Sequence, residues 1–226
     1  SYGSYAYAVM IVALISGVSM LGMDQIAIRF LGDYLEKKKY DFSKGMILGS
    51  QKLVLLVSLV LTSVLFIIFD SYPVFDEDVE ILAFFIMSAT IPMVALSQTR
   101  QSLCRALQRP VLAQIPENLI YPVLILSLLA GLHFLDIGIK LTFTTVAIVN
   151  FAAWFVAWMT GLFLLKLSVT KEVASEKPKY EMRLWLNMSP PILIALVAYL
   201  VMARTDIILL EHFYSMKEVG IYSVAA

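Results

Sequence analysis

A single cysteine, Cys104, excludes an internal disulfide and a thiolate metal cluster. Two histidines, His133 and His212, stand far from each other and from Cys104, so no metal-ligand set is legible. A net charge of +0 gives no basic field for a nucleic-acid partner. Charged residues make up 15% of the chain, against about 25% in ordinary soluble domains. No phosphate-cradling glycine loop, nucleophile elbow or dinucleotide fingerprint occurs, so no cofactor and no metal is expected. The acidic run at 76–80, Asp-Glu-Asp-Val-Glu, lacks the glycine and the spacing of a calcium loop and reads as a solvated face.

Apolar residues fill the space these absences leave. They are 60% of the 226 residues, and the mean hydropathy is +0.84. A hydrocarbon core of about 30 Å needs a helix of about 20 residues. Runs at 5–27, 46–69, 81–103, 114–133, 141–166 and 187–213 meet that length, and another begins near Val219. Such runs favour helices over barrel strands of about 9–11 alternating residues. The expectation is an all-α polytopic transmembrane bundle with about six full spans and the start of a seventh. With no initiating Met, no signal-peptide pattern and an apolar start, the chain reads as a fragment of a longer protein.

Basic residues orient the spans, because Lys and Arg gather on the cytoplasmic side. Arg29, Lys37, Lys38, Lys39, Lys44 and Lys52 form one group, Arg100, Arg105 and Arg109 a second, and Lys166, Lys171, Lys177, Lys179 and Arg183 a third. The intervening gaps hold only Lys140 and Lys217. Fourteen basic residues therefore mark one side and two the other. Segments 28–45, 104–113 and 167–186 are expected inside, and 70–80, 134–140 and 214–218 outside. The longer inner segments, around 29–45 and 167–186, are expected to lie along the inner surface. The sequon Asn187-Met188-Ser189 falls inside and is discounted as a glycosylation site. No loop can house a catalytic domain of about 50 residues or more.

Gly3-Ser4-Tyr5-Ala6-Tyr7-Ala8 and Gly220-Ile221-Tyr222-Ser223-Val224-Ala225 share the pattern Gly-x-Tyr-small-x-Ala. Six spans separate the two copies. An even number makes the repeat parallel, one of the transporter architectures. The stretch SYAYAVMIVALISGVSMLGMDQIAIRFLGDYL, beginning at Ser4, resembles the second helix of the Wzx-type polysaccharide flippases. These belong to the multidrug/oligosaccharidyl-lipid/polysaccharide exporter superfamily. Arg204-Thr205-Asp206-Ile207-Ile208-Leu209-Leu210 with Val219-Gly220-Ile221-Tyr222-Ser223 resembles their seventh helix and the opening of the eighth. Lys179-Tyr180, Trp185 and Ser189-Pro190-Pro191 resemble the linker between their two halves. The resemblance implies three segments: 1–166 as the rest of a first bundle lacking its first helix, 167–186 as a cytoplasmic linker, and 187–226 as the start of a second bundle. It also implies a flippase of a lipid-linked, undecaprenyl-pyrophosphate-type oligosaccharide in the cytoplasmic membrane of a prokaryote. Its partners would be that substrate, membrane lipids and a proton or sodium coupling ion. A drug or cation antiporter of the same superfamily is the alternative, and a membrane glycosyltransferase or polymerase a more distant one.

Ionisable groups inside a span are costly and point to a pathway or a structural pair. Arg204 and Asp206 stand within the sixth run. Two residues apart on a helix is about 200° of rotation, so they do not share a face. They either snorkel to the outer headgroups, or Arg204 contacts a lipid pyrophosphate through its bidentate guanidinium. Asp24 and Arg29 lie at the inner end of the first run, about 140° apart and poorly placed to pair. Arg29 reads as an inside-positive anchor, and Asp24 as either a structural partner of another helix or a gate. Glu117, with Asn118, follows Pro116 and either caps its helix or partners Arg100 or Arg105 across the cytoplasmic mouth. Asp24, Arg29, Arg100 and Glu117 make an inner layer and Arg204 and Asp206 an outer one, roughly 20 Å apart at about 1.5 Å per residue. Inner and outer gates of an alternating-access cavity fit two such layers. Pro92 and Pro122 fall within spans as hinges or static kinks. Gly17 and Gly22, with Ser16 and Ser19, read as close-packing positions. Tyr5 and Trp158 are candidate sugar contacts among aromatics that otherwise read as interface anchors.

Of the seventeen basic residues, Arg204 alone escapes the sidedness rule. In cells lacking the full-length gene, Arg204→Ala should fail to complement and Arg204→Lys should complement poorly. Full complementation by both would remove Arg204 from the pathway.

Overall fold

The computed structural model describes residues 2–71, 78–134 and 142–213, and all regular structure among them is helical. Helices α1 (Tyr2–Ser19) and α2 (Met23–Glu36) share the first apolar run, and α3 (Tyr40–Ser71) carries the second. Helices α4 (Asp78–Ser88) and α5 (Ile91–Ala106) divide the third. Helix α6 (Pro110–Ile115), a π turn (Pro116–Ile120) and α7 (Tyr121–Phe134) follow one another through the fourth. Helix α8 (Phe143–Ser168) is the fifth, the short α9 (Lys171–Ser175) lies in the linker, and α10 (Met182–Phe213) carries the sixth. Five stretches are long and apolar enough to cross a membrane: Gly3–Glu36, Tyr40–Phe69, Glu80–Ala106, Pro110–Leu132 and Phe143–Ser168. They coincide with the first five runs expected from hydropathy. The region from Val219 lies outside the described residues, and with it the second copy of the Gly-x-Tyr repeat.

The first run is not one helix, as its uninterrupted hydropathy implies. Leu21 and Gly22 take positive φ values of 51° and 72°, and the helix breaks between α1 and α2. Glycine tolerates that conformation; for Leu21 it costs about 1–3 kcal/mol and persists only where the surroundings impose it. Those surroundings are α10. The Ser189 hydroxyl donates to the Leu21 carbonyl. A Cβ on Gly22 would stand 2.7 Å from Ile192 Cγ2. Gly22 is thus both a backbone break and a close-approach point, which sharpens the packing role expected of it.

The third run breaks as well, with Thr90 before α5 and Pro92 in the first turn of that helix. Pro92 therefore starts a helix and does not kink one, because its missing N–H costs nothing in a first turn. Helix α3 is 32 residues long, about 48 Å at 1.5 Å per residue, so it exceeds the hydrocarbon thickness. The expected surface segment at 29–45 is instead the projecting ends of α2 and α3, joined by a tight turn. Lys38 sits at a φ of 56°. The Lys39 N–H donates to the Tyr34 carbonyl and the Lys38 N–H to that of Leu35. Gln108 repeats the device at a φ of 58°, with Arg109 donating to Cys104 and Gln108 to Arg105. Both inner turns are Schellman closures, which satisfy the last carbonyls of a helix.

The buried side chains form two layers. The outer layer gathers Ala8, Val12, Leu65, Phe84, Met87 and Ile91, with Tyr5 and Trp154 at its edge. The inner one gathers Met23, Leu31, Met46, Leu103, Cys104 and Trp185, with Trp158 packed against it. Three of the hydroxyls between the helices are satisfied within their own turns: Ser19 donates to the Ile15 carbonyl at 2.6 Å, Ser50 to Met46 at 2.7 Å and Thr99 to Ala95 at 2.9 Å. Such groups let helices approach closely without stranding a polar atom in hydrocarbon. Leu56, Val60 and Ile67 on α3 and Leu126 on α7 remain exposed, as a lipid-facing surface requires.

The segment expected to be a linker is docked. Lys44 donates to the carbonyls of Ala174 and Glu176 at 2.6 and 2.7 Å. Lys179 pairs with Asp41 at 2.8 Å, and its backbone N–H donates to the Asp41 carbonyl. The hydrogen bond to Asp41 pushes the Lys179 ammonium above its ordinary pKa. Beneath this strap Gly45 has no room for a side chain, since a Cβ would lie 1.7 Å from the Lys179 carbonyl oxygen. Gly45→Ala should therefore lift the linker off α3. Limited proteolysis between residues 169 and 181 should speed up several-fold, while Gly32→Ala, where nothing lies within 4 Å, should leave the cleavage rate unchanged.

Candidate functional site

The strongest electrostatic feature lies toward the end of the bundle expected to face the cytoplasm. Arg100, on α5, is fully buried. Its Nη2 donates to both carboxylate oxygens of Glu117 at 2.6 and 2.7 Å and to the Ala113 carbonyl at 3.0 Å. The Glu117 side chain is 8% exposed. A guanidinium removed from water needs an anion and filled donors, or its burial is prohibitive. Two devices make the pair possible. The first is the π turn. Pro116 has no N–H to donate and its ring crowds the preceding turn, so the helix widens there. Glu117 then sits within a helix that continues on both sides, which corrects its expected role as a cap. The second is Gly161 of α8, where a Cβ would fall 2.5 Å from Arg100 Nε. The backbone of α8 thereby packs directly on the guanidinium. Arg100 Nε has no hydrogen-bond partner.

Of the two partners expected for Glu117, the structure selects Arg100. Arg105 turns outward and donates to Gln101 at 3.0 Å. Asp24 and Arg29 are not brought to this pair. Asp24 occupies the first turn of α2, directly after the break, where a carboxylate complements the positive helix end. One of its oxygens accepts from Gln25 at 3.1 Å; the other, Oδ1, is buried without a hydrogen-bond partner. The expected partner helix for Asp24 is thus not found among the described hydrogen bonds. Arg29 is exposed, as an anchor would be. Arg204 and Asp206 fall on α10, but their side chains lie outside the described residues, so the outer layer has no geometry here.

Two polar networks escaped sequence reasoning. Tyr34 donates to the Glu181 carboxylate and accepts from Trp185 Nε1 at 3.2 Å, tying α2 to the start of α10. Tyr121 accepts from Asn150 Nδ2 at 3.1 Å, and its ring lies 4.6 Å from that of Trp154. Partners 147–151 and 29 residues apart leave no local pattern. Pro116 was the available signal for the π turn and an in-span Arg the signal for its anion. Chemically, the inner layer can latch three helices through one buried ion pair.

A sequence model of the family described as polysaccharide biosynthesis protein matches residues 1–226. No curated protein matches the chain, and no solved structure does.

Removing one partner of a buried pair strands a charge at a cost of about 3–5 kcal/mol, whereas an apolar replacement of both is often tolerated. Arg100→Met and Glu117→Leu should each lower the unfolding temperature in detergent markedly. The double variant should be more stable than either single one, and additive losses would mean the two side chains do not act as a pair.

Proposed function

This chain belongs to the polysaccharide biosynthesis protein family, and we infer from that premise that it serves a flippase for lipid-linked oligosaccharides. At the coarser level it is a multi-pass membrane protein of the transporter kind. The finer reading concerns the substrate: a sugar on an undecaprenyl-type pyrophosphate, moved between leaflets of a prokaryotic cytoplasmic membrane. The observation that carries it is the pair of Arg100 and Glu117, an ionised group and its counter-ion buried against apolar helices. Charge in that position is maintained against its desolvation cost, which a pathway or a structural pair can explain, and we read it as bordering a route for polar cargo. Sugar and pyrophosphate cannot enter hydrocarbon unaided, while the isoprenoid tail stays in it. The task is therefore shelter along a path, with no bond made or broken, and the reading is of a transporter and not of an enzyme. Segments 1–166, 167–186 and 187–226 then serve as first-bundle helices, linker and start of a second bundle.

A second reading, cation-coupled antiport, is favoured by Asp24, whose buried Oδ1 has no hydrogen-bond partner. A proton or sodium ion is the chemical complement of such an oxygen.

The full-length protein in liposomes should move a fluorescent undecaprenyl-pyrophosphate oligosaccharide from one leaflet to the other, with protection from a membrane-impermeant quencher as the readout. Protein-free liposomes and a substrate lacking the sugar should show at least ten-fold less. Equal movement of the sugar-free lipid, or cation-dependent drug uptake abolished by Asp24→Asn with no lipid movement, would overturn the flippase reading in favour of the antiporter.

A further inference from the structure

Helix α10 is gripped along the residues that lead up to a double proline. Trp185 is fully buried and donates to Tyr34, and Tyr34 donates to Glu181 just before the helix begins. Ser189, itself buried, donates to the carbonyl of Leu21. Those partners belong to α2 and to the α1–α2 break. The linker ahead of them is strapped to α3 through Lys44, Asp41 and Gly45. Residues 174–189 are thus bound at three levels to the α1–α3 group.

The next two residues are Pro190 and Pro191, inside the helix. Neither can donate an N–H, so the carbonyls of Leu186 and Asn187 lose their helical donors, and both rings crowd the preceding turn. Adjacent prolines make this the weakest point of the ladder, and sharp bends in helices occur at such points. Immediately beyond, Ile192 rests on Gly22 without a side chain between them. That contact joins the weak point of α10 to the weak point of the first span. Sliding at Gly22 meets no Cβ.

We propose that Pro190 and Pro191 form a hinge that divides α10 mechanically. Residues 182–189 move with α1–α3, the residues after Pro191 swing as a separate body, and the contact of Gly22 with Ile192 is the bearing. The boundary between moving bodies then lies inside α10, about one turn past the end of the linker. The linker itself acts as a strap and not as a flexible tether. The proposal concerns motion alone and needs no substrate, so it stands or falls separately from the flippase reading.

The test is pulsed dipolar spectroscopy on the full-length protein in lipid nanodiscs, with buried Cys104 left in place. Spin labels at Lys38→Cys and Tyr199→Cys straddle the hinge, and labels at Lys38→Cys and Arg183→Cys lie on one side of it. All three positions are exposed. The 38/199 distance distribution should be at least twice as broad as the 38/183 one, or bimodal. Pro190→Ala with Pro191→Ala restores both donors and should narrow the 38/199 distribution to the width of the control. Should that double variant fold poorly, Ser189→Ala with Trp185→Phe provides the second arm, since loosening the grip should broaden the 38/183 distribution. Equal widths for the two pairs in the unmodified helix would overturn the hinge. So would a 38/199 distribution that ignores the proline replacements, or a 38/183 distribution that ignores loss of the grip.

Discussion

Hydrocarbon offers no hydrogen bonds, so every interruption in a membrane helix must be answered by another part of the same protein. Several breaks in this bundle illustrate the rule. The carbonyl released at Leu21 is taken by Ser189. The Ala113 carbonyl, just before Pro116, is taken by Arg100, which also takes Glu117. The two inner turns at Lys38 and Gln108 close their own carbonyls by Schellman geometry. The described helices are therefore coupled by their irregular points more specifically than by their apolar faces, which neighbouring lipid tails could match.

That coupling has a direction. The inner half of the bundle holds the ion pair, the network of Tyr34, Glu181 and Trp185, and the docked linker. The outer half is held by an apolar and aromatic cluster and by polar contacts such as Ser4 to Glu80 at 3.1 Å. Family membership places this bundle in polysaccharide biosynthesis.

Much of this was legible before any coordinates. The apolar runs located five spans, although the first extends nine residues past and the second begins six residues before the expected bounds, because a length of about 20 apolar residues has few other uses. The alternation of basic segments predicted a direction for each helix. Ser4 meeting Glu80, Arg100 meeting Gly161, and Leu21 meeting Ser189 are all contacts between residues placed at the same side by that rule. Glu117 and Arg100 were readable only as one option beside a helix cap and a pair with Arg105, because an ion inside a span must find a partner but the sequence does not say which. The breaks at 20–22 and 89–90 were not readable. Hydropathy is blind to φ, and Leu21 in a left-handed conformation has no compositional mark. Tyr34 with Trp185 and Tyr121 with Asn150 were equally hidden, since their partners are distant in sequence and aromatic residues near a membrane boundary have a commoner explanation.

Sequence by itself determined that the chain is a membrane bundle and which charges need an explanation, and it set an expectation for which way the helices run. Those properties follow from solvent preference, and each residue carries its own. Tertiary structure decided which explanation each charge receives. Arg100 gained a counter-ion, while Asp24 kept a buried oxygen without one, although both are single ionisable residues near the inner end of an apolar run. The difference is geometric. A proline-widened turn and a missing Cβ at Gly161 bring Glu117 and α8 onto Arg100. At Asp24 the neighbouring helix supplies Ser189 to the backbone and not to the carboxylate.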